Sequence, residues 1–123
     1  MARFLQLTDL HVVREGALAS GVLDTRNLLR TAIDRLLELQ PDLAPLDAVL
    51  VSGDISDDGS RESYAFARTE LNRLGLPLYV VPGNHDARGP MRTAFADLPE
   101  MPTSGLIDWM VDVGDTRVVG LDT

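Results

Sequence analysis

The apolar positions of this chain alternate between short strand-like runs and helical stripes. Arg3 to Thr8 opens with Phe4 and Leu5 and continues in alternation, which predicts a strand. The stretch from Asp9 to Asp24 is polar and contains glycine, and reads as a loop. From Thr25 to Gln40, Leu29, Ile33, Leu36 and Leu37 recur at helical spacing, with Leu28, Ala32 and Leu39 widening the stripe. Asp24 or Thr25 suits its N-terminal cap, and Pro41 is placed to end it. Within Asp47 to Ser52, Ala48-Val49-Leu50-Val51 is the short apolar run of a buried parallel strand.

The pattern then repeats. A loop from Gly53 to Gly59 leads to a helix from Ser60, a good cap, to Leu74, with Tyr64, Ala67, Leu71 and Leu74 on one face and Gly75 to stop it. Leu76 to Val81 reads as the third strand, and Pro82 to Gly89 as its loop. Pro90 suits the start of a short helix ending near Asp97, followed by a linker holding Pro99 and Pro102. Asp108 to Val113 and Thr116 to Leu121 read as strands joined at Gly114-Asp115, a hairpin signal. The fold class is therefore α/β, in the order β-α-β-α-β-α followed by a β-hairpin. Such alternation makes a parallel sheet, and parallel sheets bind ligands at the carboxyl ends of their strands. That rule selects the loops beginning at Asp9, Gly53 and Pro82.

Composition narrows the chemistry. The 123 residues include no cysteine, which excludes disulfides and thiolate metal sites. A net charge of −8 argues against nonspecific binding to a nucleic-acid polymer. No apolar run reaches the roughly 18 residues of a membrane span, and the first residues lack a secretory apolar stretch, so the expected location is cytoplasmic.

The three selected loops read Asp9-Leu10-His11, Gly53-Asp54-Ile55-Ser56-Asp57 and Gly83-Asn84-His85-Asp86, and they hold both histidines of the chain. Asp, Asn and His together suit a divalent ion such as Mn, Fe, Zn or Co. In an extended segment, Asp-x-His presents both side chains on one face. Gly53 and Gly83 would let the backbone turn sharply beside them. Taken singly, each feature has an ordinary reading as a strand end, a turn or a surface histidine. Their placement after three successive strands is what points to a site. Asp54-x-Ser56-x-Asp58-Gly59 also matches half of a calcium-binding EF-hand loop, but Ala65 stands where that loop needs glutamate.

Asp-x-His, Gly-Asp and Gly-Asn-His-Asp, in that order, resemble the first half of the calcineurin-like metallophosphoesterase signature. Leu50-Val51-Ser52-Gly53-Asp54-Ile55, Leu78 to Asp86 and the ending Val119-Gly120-Leu121-Asp122-Thr123 are similar to the bacterial cyclic-nucleotide phosphodiesterase (class III) and glycerophosphodiesterase branch. The resemblance implies the first half of a four-layer αββα sandwich carrying two divalent ions. It makes Asp9 and His11 ligands of the first ion, Asp54 the bridge, and Asn84 a ligand of the second. It places His85 on the phosphate or leaving group rather than on metal, and gives Asp57 the place of an acid that orients that histidine. The implied reaction is hydrolysis of a small phosphodiester, with a metal-activated hydroxide attacking phosphorus in line.

The family completes its site with later histidines, and no histidine follows His85 here. The expectation is that residues 1–123 form the N-terminal part of a single domain, inactive alone and with an apolar sheet face uncovered, which predicts self-association. The competing expectations are a noncatalytic fragment and a phosphate-binding module holding at most one metal.

Overall fold

The computed structural model describes residues 1–123. Its elements follow the predicted order: β1 (Phe4–Leu7), α1 (Thr25–Leu43), β2 (Ala48–Ser52), α2 (Arg61–Asn72), β3 (Leu78–Val81), α3 (Arg88–Ala94), β4 (Trp109–Val113) and β5 (Thr116–Gly120). The first three strands form a parallel sheet in the order β1-β2-β3, and β4-β5 form a separate antiparallel pair. Leu5, Val49 and Leu78 lie in register, as do Leu7, Val51 and Val80. These six side chains share one face, which packs with Leu29 and Ile33 of α1 and Tyr64, Ala67 and Leu71 of α2 into the core. No helix is long and apolar enough to cross a membrane.

Local chemistry accounts for the helix starts. The Asn27 N–H donates to the Asp24 side chain at 3.0 Å, and the Ser63 N–H donates to Ser60 Oγ at 3.2 Å, so each orphan first-turn donor has a partner. The ends differ from the sequence expectation. Helix α1 continues through Pro41 to Leu43. The proline removes one donor in the last turn, and the Ala44 N–H still reaches the Gln40 carbonyl at 3.0 Å. Helix α3 starts before Pro90, which occupies a first-turn position whose N–H has no helical partner to lose.

The opposite face of the parallel sheet carries Phe4, Leu50, Tyr79 and Val81, none fully buried. The hairpin reaches it through Trp109, whose Nε1–H donates to the Val80 carbonyl at 2.7 Å and whose ring lies 5.5 Å from that of Tyr79. Gly120 faces Trp109 across the hairpin, where a Cβ would come within 2.3 Å of the indole. A second tie comes from Asp122, which accepts the Arg88 Nε–H and an Nη2–H at 2.6 Å each and the Ile107 N–H at 2.8 Å. The Arg88 guanidinium holds the Asp122 carboxyl below the usual range.

The 9–24 segment is less open than its composition suggests. Val12, Val13 and Ala19 are buried in it. Hydrogen bonds from Asp9, His11 and Val12 N–H groups to the carbonyls of Gly53, Asp54 and Ile55 lay the two loops side by side beyond their strands. The Asp57 N–H donates back to the Val12 carbonyl at 2.9 Å.

Candidate metal centre

This pairing of loops brings the predicted ligands together. His11 Nε2 lies 3.6 Å from Asp9 Oδ1 and 3.6 Å from Asp54 Oδ2, and the ligand atoms of the three residues fall within 4.8 Å of one another. The segment that carries Asp9 and His11 is not extended. Asp9, His11 and Asp54 all occupy the left-handed region, at φ 56°, 47° and 49°. Three non-glycine residues there mark a backbone held against its own preference. The two side chains of Asp-x-His therefore meet because the loop curls, and not through strand alternation.

The third loop closes on the second at van der Waals distance. A Cβ on Gly83 would sit 2.3 Å from Asp54 Oδ1 and 2.5 Å from the Asp54 nitrogen. Gly83 is thus required for close approach, and Gly53 serves the turn itself, with φ 106°, while a Cβ there would also press on Gly83 at 3.1 Å. The approach lets the His85 N–H donate to Asp54 Oδ1 at 2.9 Å. It also sets the Asn84 amide 3.2 and 3.3 Å from the two Asp54 carboxylate oxygens. With its amide rotated so that the nitrogen faces Asp54, Asn84 donates to both carboxylate oxygens. In the orientation the structure shows, the amide oxygen faces the Asp54 carboxylate, acceptor against acceptor, and a cation held between them would take both as ligands. The donor set is hard oxygen plus imidazole nitrogen, which fits a divalent first-row ion.

Asp57 serves two rings. Its Oδ1 lies 2.9 Å from His11 Nδ1 and 3.5 Å from His85 Nδ1, and His85 Nδ1 is also 3.3 Å from the Asp57 carbonyl. The rings meet edge to face with centroids 4.9 Å apart. The contact to His11 is a hydrogen bond in which Nδ1–H donates to Asp57, and it aims Nε2 at Asp9 and Asp54. The shorter bond thus goes to His11 rather than to the histidine that Asp57 was expected to orient. The Thr8 hydroxyl, 2.7 Å away, holds the exposed Asp9 carboxyl below its ordinary range, with His11 adding to the effect.

The family description "Calcineurin-like phosphoesterase" matches residues 2–119 of the sequence. The chain belongs to that family. This calcineurin-like phosphoesterase is 37% identical over 119 residues to "3',5'-cyclic adenosine monophosphate phosphodiesterase CpdA" of Pseudomonas aeruginosa, an alignment covering 97% of this chain and 40% of the relative. It is 29% identical over 119 residues to "Probable glycerophosphodiester phosphodiesterase GpdQ" of Arcobacter nitrofigilis, covering 97% and 42%. The chain therefore spans about two fifths of the length of these curated relatives. Among solved structures it is similar to a purple acid phosphatase, PPD1, from yellow lupin seeds, with a TM-score of 0.58, 16% identity, and coverage of 96% of this chain and 23% of that one. That likeness bears on the fold, and the α/β order agrees with it.

Two residues that the sequence pattern did not single out hold this site in shape. Asp86 accepts hydrogen bonds from the Gly83 N–H at 2.8 Å, the Ser56 N–H at 2.9 Å, the Ile55 N–H at 3.2 Å and the Tyr64 hydroxyl at 2.8 Å. One carboxylate thereby ties the Gly53 loop, the Gly83 loop and α2 together. Tyr64 is fully buried, and its hydroxyl also accepts the Ala87 N–H at 2.7 Å. Burial and the nearby Asp86 charge, outweighing the Ala87 bond, push the Tyr64 phenol well above its ordinary range, so it stays protonated and donating. The available signal was the motif itself, since Asp86 closes Gly83-Asn84-His85-Asp86. Tyr64 looked like any apolar position on the α2 stripe.

Proposed function

We propose that this chain supplies the ion-binding and leaving-group side of a phosphodiester hydrolase acting on a small phosphodiester. The observation that carries the reading is the convergence of Asp9, His11, Asp54, Asn84 and His85 at the carboxyl ends of three parallel strands. Asp9, His11 and Asp54 would hold one ion, and Asp54 with Asn84 would hold another. Bound divalent ions would offset phosphate charge and make an attacking water acidic near neutral pH. The relatives' names, a cyclic AMP phosphodiesterase and a glycerophosphodiester phosphodiesterase, support a phosphodiester as the substrate class.

The protein's own groups divide the remaining work. His85 Nδ1 is engaged by Asp57, which leaves Nε2 free to face the departing ester oxygen, and the imidazolium would give that oxygen its Nε2 proton and be left neutral. Its side chain is 43% exposed, enough for a substrate to reach it. Asp57 positions both histidines. Asp54 orients the His85 backbone, and its carboxylate would also hold the ions.

The test is Asp54→Ala in the full-length protein, with bound Mn, Fe, Zn and Co measured beside hydrolysis of bis(4-nitrophenyl) phosphate. Loss of both metal and turnover is expected. Unchanged metal content and turnover would overturn the assignment. For the 123 residues alone, three protein ligands for one ion and two for the other predict weak metal binding and little turnover. The half-covered sheet face predicts self-association of that piece, which sedimentation measures.

A further inference from the structure

A cavity of about 420 Å³ opens directly beside the candidate metal centre. Asp9, His11, Asp57 and His85 line one side of it. The other side is apolar, built from Leu10 and Leu23 of the 9–24 loop and from Leu28, Leu29 and Ala32 of α1. Its volume is that of a small-molecule site. The helical stripe predicted Leu28 as part of the buried face, yet Leu28 is 55% exposed and Leu23 is 51% exposed. Both are spent on this wall rather than on the core.

The wall offers few groups for reading a polar ligand. The Thr25 hydroxyl is already committed, donating to the His11 carbonyl at 2.6 Å. Ser20 is the remaining hydroxyl among the lining residues. A substituent seated there would be recognised by shape and apolar contact, with its phosphate held a few ångströms away by the acid–histidine cluster. A flat aromatic group covers such a leucine wall well, whereas a glycerol unit would leave its hydroxyls without partners.

The geometry points to a subsite, bounded by Leu23 and Leu28, that takes an aromatic ester substituent of the phosphodiester and disfavours small polyhydroxyl ones. The proposal rests on the phosphodiester reading above and adds the substituent class.

The test uses phenyl phosphate, glycerol 3-phosphate and inorganic phosphate as probes, titrated by NMR and calorimetry into the full chain with Zn²⁺. Phenyl phosphate is expected to bind roughly tenfold tighter than glycerol 3-phosphate, the scale of one good apolar contact. It should shift the methyl signals of Leu23, Leu28 and Ala32, which inorganic phosphate should not. In Leu28→Gln, a helix-compatible change at an exposed position, the ratio of phenyl phosphate to inorganic phosphate affinity should fall about tenfold. Equal binding of the two esters, with no leucine shifts and no change of ratio in Leu28→Gln, would overturn the subsite and leave the phosphodiester reading standing. Failure of all three probes to bind would overturn that reading and the subsite with it.

Discussion

Replacing Tyr64 by phenylalanine isolates the contribution of one hydroxyl to the architecture of the site. The ring is fully buried and stays in place, so no cavity forms. The change removes the 2.8 Å bond to Asp86 and leaves the Ala87 N–H, bonded at 2.7 Å, without its acceptor. A hydrogen bond to a charged group contributes about 1.5–3 kcal/mol, and a stranded donor costs about 1–3 kcal/mol. Asp86 and Ala87 are only partly buried, so water takes over some of the lost pairing. The expected loss is about 2 kcal/mol. For a two-state domain of this size that corresponds to a fall in Tm of roughly 8 °C. It also corresponds to a urea midpoint lower by roughly 1 M at an unchanged slope of about 2 kcal/mol per M. Chemical denaturation of Tyr64→Phe beside the parent measures it, with Tyr79→Phe as the half-exposed control. The loops at Gly53 and Gly83 share Asp86, so metal affinity should weaken as well. A Tyr64→Phe protein within about 0.5 kcal/mol of the parent and with unchanged metal affinity would refute the view that Asp86 and Tyr64 set the site.

Three further outcomes follow from the same geometry. His85→Ala should lower kcat by about 10²–10⁴-fold while the bound metal stays near the parent level, and a large loss of metal would instead make His85 a ligand. Gly83→Ala should separate the Gly53 and Gly83 loops, because its Cβ would fall 2.3 Å from Asp54 Oδ1; proton NMR of the His11 and His85 rings would show it, and unchanged ring shifts would contradict it. Partial burial alone would raise the Asp58 pKa, but hydrogen bonds from the Arg14 and Ser60 N–H groups and the Ser60 and Ser56 hydroxyls outweigh it and hold it at about 2. A lowered native pKa stabilises fully above the ordinary value of 3.8 and is lost as pH falls toward about 2, so the urea midpoint should fall less steeply across that window in Asp58→Asn than in the parent.

The parts of the fold readable from the chain are those written in local chemistry. The run Ala48 to Val51, the caps Asp24 and Ser60 and the Gly114-Asp115 turn each carry a short-range cause, and each element formed where that cause placed it. The strand-end rule gathers Asp9, His11, Asp54, Asn84 and His85 into one region from the sequence alone. Other features depend on partners distant in sequence. Val12 is buried because its N–H pairs with Ile55, a contact that no property of the 9–24 segment announces. Leu28 sits on the helical stripe yet lines a cavity together with Leu23, Asp57 and His85, residues of three other segments. Asp86 was visible as a motif letter, but its four donors come from three separate segments.

The left-handed backbone at Asp9, His11 and Asp54 has a bearing on laboratory evolution of this chain. A side chain in that region costs about 1–2 kcal/mol relative to a residue that accepts it freely, and glycine accepts it freely. At His11 and Asp54 a glycine would also lose the bonds to Asp57 and the His85 N–H, but the exposed Asp9 carboxylate is bonded only by the Thr8 hydroxyl beside it. A library sorted only for heat resistance or soluble yield would therefore enrich glycine at position 9, and its winners would lack one ion ligand. A selection meant to keep the chemistry must apply metal or a phosphoester as bait from the first round, since stability and function pull position 9 in opposite directions.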